Sequence, residues 1–205
     1  DLTDMGFALS HYGIFFKCPE SAPSSFLWYG TNLFGALILR LSCGYEVLAV
    51  KLAWAAMSWL TMLSVIYAIK PLQCRKQLGW ALLLGAIAAW GMHNVRWFDY
   101  NNSTICLYAW ALAFLCRGMA EEGRLRIACG GLLLGIAAFL KIPNIAGVSL
   151  GLIIPAVALF CAGDRKRLLG YCFSFITGLA AGVNAKLASI LFLGYSEFVA
   201  SGLKF

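Results

Sequence analysis

Long apolar runs separated by short polar clusters set the pattern of this chain. Residues 48–69 are apolar apart from Lys51 near one end. A helix needs about 20 such residues to cross a bilayer core roughly 30 Å thick. Further runs follow at 78–92, 103–119, 126–141, 143–162 and 169–193. The pattern predicts six membrane-spanning helices, the short ones buried among neighbours or set in a locally thinned bilayer. Pro143 and Pro155 fall where they bend or begin helices, and the 21 glycines permit close helix approach.

Composition moves the reading from core helices to membrane helices. The chain is 61% hydrophobic and 12% charged, against about 45–50% and 25% for a soluble domain. Polar surface is too scarce to cover such a chain in water, so lipid is its solvent. The net charge of +7 would suit nucleic acid, but its distribution argues against that partner. Nine of the 16 basic residues fall in three short loops: Lys70, Arg75, Lys76; Arg117, Arg124, Arg126; and Arg165, Lys166, Arg167. This is the positive-inside pattern that orients spans. With those loops cytoplasmic, residues 1–47, 93–102, 141–143 and 194–205 are external, and six of the nine acidic residues lie on that side. The run 26–41 (FLWYGTNLFGALILRL) is either a seventh span, which would move residues 1–25 inside, or a helix in the membrane plane. Its interruption at Gly30-Thr31-Asn32 and its end at Arg40 favour the second. The expected fold is therefore all-α and polytopic, with an external loop carrying an in-plane amphipathic helix (1–47) and a transmembrane domain (48–205).

Candidate chemistry gathers on the external side. In the opening D-L-T-D-M-G-F, Asp4 suits general-base work on an acceptor hydroxyl, with terminal Asp1 a weaker candidate. The plain alternative makes Thr3 or Asp4 a helix cap. The cluster 93–103 (HNVRWFDYNNS) packs Arg96, Asp99, Asn101 and Asn102 between apolar runs. It reads as a turn with Ser103 capping the next helix, or as an anion ligand beside partners for sugar hydroxyls. In F-L-K-I-P-N (139–144), Lys141 either snorkels or meets a lipid phosphate. Lys186 is an intramembrane charge near the external third of the last run. Of eight cysteines, Cys106, Cys116, Cys129, Cys161 and Cys172 sit in or at the ends of apolar runs, where thiols behave as small hydrophobes. Cys18 and Cys43 share the external segment, where a bridge between them is open. No cysteine or histidine spacing argues for a metal site, and no cofactor is indicated.

The D-x-x-D-x-G-F opening resembles the first external loop of the GT-C glycosyltransferases, which include protein O-mannosyltransferases and aminoarabinose transferases. The D-Y-N-N-S-T-I-C-L-Y run resembles the segment that opens a span after an external turn in that group. The run G-G-L-L-L-G-I-A-A-F-L-K-I-P-N is similar to its G-L-x-x-G-x-A-x-x-x-K-x-P signature. The resemblance implies a sugar moved from a polyprenyl-phosphate-linked donor to an acceptor, on the extracytoplasmic side of a bacterial inner membrane. It implies Asp4 as catalytic carboxylate, Asp1 as lesser holder of that role, and Lys141 near the lipid phosphate. It also implies a chain that begins past the family's first span. Met5 departs from the second acidic residue many members carry beside the aspartate. The alternatives are a transporter, which needs polar groups at mid-membrane depth, and a non-catalytic membrane subunit, in which Asp4 tolerates replacement.

Overall fold

The computed structural model describes residues 2–17, 29–69, 98–140, 142–152 and 165–193. Among these, every regular element is helical. The elements are α1 (Leu2–Ile14), α2 (Tyr29–Leu41), α3 (Glu46–Ile69), α4 (Tyr100–Ala120), α5 (Arg124–Leu140), a 3-10 segment (Ile142–Leu152) and α6 (Arg165–Leu193).

Three of these helices are long and apolar enough to cross a membrane: α3, α4 and the stretch Lys166–Ser189 of α6. Their faces are arranged for lipid. On α3 the buried residues are Val50, Thr61 and Ser64, whereas Leu48, Leu52, Trp59 and Leu63 point outward. Thr61 and Ser64 spend their hydroxyls on the carbonyls of Met57 and Thr61, at 2.9 and 2.7 Å. Polar groups turned inward and leucines turned outward suit hydrocarbon, where each exposed polar group is costly.

The six predicted spans are met only in part. The predicted 126–141 is α5, whose 17 residues reach only about 26 Å at 1.5 Å per residue. The described part of 143–162 is wound as a 3-10 segment of 11 residues. The predicted 78–92 lies outside the described residues. The predicted 26–41 is represented by α2, and Gly30, Thr31 and Asn32 do not break it. All three are buried on its inner face, where Thr31 donates to the Leu140 carbonyl at 3.1 Å.

Helix α5 is the centre of the bundle, with Ile127, Leu134 and Ala137 fully buried and α4 and α6 packed on either side. Against α6 it meets backbone to backbone. Gly131 and Gly135 of α5 face Gly178 and Gly182 of α6, two small-xxx-small pairs. A Cβ at Gly135 would stand 2.6 Å from the Leu179 carbonyl oxygen, and one at Gly178 would collide with the Ala128 carbonyl. The 3-10 segment is tied back to the same bundle. Asn144 donates to Thr104 Oγ1 (2.6 Å) and to the Ala137 carbonyl (2.9 Å), and its own carbonyl accepts from Tyr108 Oη (2.9 Å).

The bundle has two chemically distinct ends. At one, Glu121 accepts from Arg117 and pairs with Arg126, while Glu122 pairs with Arg167 at 2.6 Å. The Arg117 guanidinium also lies 4.2 Å from the centre of the Tyr67 ring, near the end of α3. At the other end stand the starts of α2, α3 and α4 and the last turns of α5 and α6. There Phe98 donates its N–H to the Val50 carbonyl (3.0 Å), and Ser189 of α6 reaches Tyr29 Oη (3.4 Å).

Candidate functional site

Helix α1 docks at the end away from the arginines. Met5 and Tyr12 share an apolar cluster with Val50 of α3 and Phe98, flanked by Ile38 and Leu39 of α2. Tyr12 is 4% exposed, and its hydroxyl donates to the Phe98 carbonyl at 3.1 Å. The two rings meet edge to face at 6.2 Å. Gly35 is required here, because a Cβ on it would fall 2.5 Å from the Tyr12 ring.

The next residue is Asp99. Its extended backbone and carboxylate cap α4, accepting the Asn102 N–H at 2.8 Å. Asp99 and Asn102 are both buried, at 8% and 3% exposure, whereas Asn101 faces outward. Ser103, expected to cap, lies inside α4 and donates back to the Asp99 carbonyl at 2.7 Å. Asp is the stronger cap because an anion complements the positive end of the helix dipole. The helix accordingly starts at Tyr100, three residues before the expected position.

Electrostatics follow from this burial. Burial first, and then the Asp99 charge, push the Tyr12 phenol well above its ordinary range. It is a fixed donor at neutral pH. Burial lowers His11, whose ring lies 4.1 Å from that of Phe7.

The predicted residues are thus brought together in part. Asp99 and Asn102 form one buried unit at the start of α4, and Asn101 stands at its rim. Asp4 lies in the first turn of α1, which is docked on that unit through Tyr12. Eight residues of helix separate Asp4 from Tyr12, about 12 Å along the axis. Neither Thr3 nor Asp4 is the cap residue, since α1 already begins at Leu2. Asp1, Arg96 and Lys141 lie outside the described residues. Cys43 is an exposed free thiol, and Cys18, its suggested partner, is outside the described residues too. Among the described residues, no three His, Cys, Asp or Glu side chains come together as a metal site.

Sequence reasoning missed Tyr12, Thr31 and Asn32. Tyr12 bonds to a carbonyl 86 residues away, a link that no local pattern carries. Asn32 is 3% exposed, and among the described residues its amide nitrogen has no hydrogen-bond partner. The available signal was a polar pair inside an apolar run, which marks either a break or a buried polar contact. Comparison with protein-family models, with curated proteins and with solved structures finds no match.

Proposed function

We propose that this chain belongs to a membrane glycosyltransferase that moves a sugar from a polyprenyl-phosphate-linked donor to an acceptor hydroxyl. In this reading the chain crosses the bacterial inner membrane about six times. The basic end is cytoplasmic, and the end bearing α1, Asp99 and Asn102 is extracytoplasmic. Asp4 takes the proton of the acceptor hydroxyl, whose oxygen attacks the anomeric carbon. The bond from that carbon to the phosphate oxygen breaks, and polyprenyl phosphate leaves with the electron pair. Arg96 and Lys141 offset its charge, while Asp99, Asn101 and Asn102 hold sugar hydroxyls or the turn that presents them.

The observation that carries this reading is the docking of α1 on the bundle end opposite the arginine–glutamate network. In this reading α1, which carries Asp4, lies at the level of the headgroup of a lipid-linked donor. The capping of Asn102 by Asp99 would serve a non-catalytic membrane subunit equally well, so Asp4 separates the two readings. The test uses full-length protein in cells, with the native cysteines removed and a single cysteine at exposed Ser10. Labelling by a membrane-impermeant maleimide in intact cells is the expected result, and protection until permeabilisation sinks the assignment. In membranes supplied with polyprenyl-phosphate-linked sugars, Asp4→Asn should slow transfer about 100-fold or more, the usual contribution of a general base. Unchanged transfer would favour the subunit.

A further inference from the structure

The arginines at the basic end are not equivalent. Arg117 and Arg126 are engaged by Glu121, and Arg167 by Glu122. Arg124 makes no ion pair among the described residues. It opens α5, and its guanidinium lies across the neighbouring helix: Cζ and Nη2 are 3.1 Å from the point where a Cβ on Gly170 of α6 would stand. Gly170 leaves the lane that this group occupies. Lys166 precedes Gly170 by four residues, so it lies one turn away on the same face of α6. Among the described residues of this end, Glu121 and Glu122 take up Arg117, Arg126 and Arg167 and leave Arg124 over.

The depth of this seam is also set. The apolar run of α6 begins at Leu168, directly after Lys166 and Arg167, so in a bilayer-spanning α6 Lys166 and the neighbouring Arg124 stand where hydrocarbon gives way to headgroups. The residues around them reach into lipid, with Leu125 78% and Leu169 68% exposed. A ligand here meets cations at its head and apolar surface along its tail. A guanidinium presents two parallel N–H groups to phosphate oxygens.

We propose that the α5–α6 seam at the basic end binds the phosphate of an anionic membrane phospholipid, with Arg124 as its principal ligand and Lys166 beside it. The proposal rests on α6 crossing the bilayer and is independent of any transfer chemistry.

The test is native mass spectrometry of the full chain in non-ionic detergent. It is titrated with phosphatidylglycerol and with phosphatidylcholine of the same acyl chains, and inorganic phosphate is added as competitor. The chain should retain phosphatidylglycerol in preference to phosphatidylcholine. Arg124→Gln should weaken that preference about fivefold, the change that corresponds to about 1 kcal/mol for one basic residue near a charged bilayer. Arg124→Lys should keep most of it, and Arg40→Gln, in the last turn of α2, should leave it intact. Gly170→Leu fills the lane without altering any charge and should weaken it as well. Circular dichroism of each variant identifies one that has lost its helices. The proposal is overturned by equal retention of the two lipids, by a preference indifferent to both Arg124→Gln and Gly170→Leu, or by millimolar phosphate displacing the lipid completely. The last result would make the seam a site for free phosphate.

Discussion

Two side chains at the start of α4 lend themselves to separate measurement. Asp99→Ala removes the cap and should lower stability in detergent by about 1–2 kcal/mol, while Asp99→Asn, still a good cap, should cost only a few tenths. Tyr12→Phe leaves the ring contact with Phe98 and removes one hydrogen bond, for about 1 kcal/mol. Tyr12 also predicts an alkaline limit. Unfolded, its phenol ionises near the ordinary 10.0, and in the fold burial and Asp99 hold it protonated above that. Above pH 10 the folded state therefore binds more protons than the unfolded one, and stability falls as pH rises. The contribution is whole below pH 10 and lost above it. A plot of unfolding midpoint against pH should bend downward there, and Tyr12→Phe should remove its share of the bend.

At the scale of elements, the seam between α5 and α6 is the most exacting contact. Gly135→Leu and Gly178→Leu each force a side chain into backbone, a strain of about 3 kcal/mol or more. Both should separate the helices, seen as early loss of the α5–α6 distance in a two-label fluorescence measurement, whereas Gly6→Ala meets nothing and should be silent. Much of this architecture was legible in the apolar runs. The predicted 48–69, 103–119 and 169–193 correspond to α3, α4 and α6 with shifts of a few residues, because helices of that length need apolar residues on every face in lipid. The ends were not legible. Asp99 outcompeted Ser103 as a cap by its charge, and Thr31-Asn32 looked like an interruption because burial against Leu140 is a tertiary fact. The same holds for the site: Asp99 and Asn102 were found as a polar cluster, but the docking of Tyr12 on the adjacent Phe98 carbonyl comes from a helix remote in sequence. The glycines of the G-G-L-L-L-G run, part of the family resemblance, have a packing task in this fold.

For the molecule as a whole, the two ends carry opposite chemistry, and labelling can read that directly. Native Cys43 is exposed in the turn between α2 and α3, held by a left-handed backbone at Cys43 and Gly44. In intact cells it should react with an impermeant thiol reagent, whereas a cysteine at Glu122 should react only after permeabilisation. The reverse pattern would invert the molecule. The central helix also imposes an order on the birth of the protein. At 17 residues with three glycines, α5 is short for a stable stay in lipid by itself. Yet α5 occupies the middle of the bundle, against a helix that leaves the ribosome after it. Its stable insertion waits on α6, and the two, which run parallel from the basic end, settle in the bilayer together. A nascent chain halted before α6 should leave α5 extractable by alkaline carbonate, and one halted after Leu193 should not.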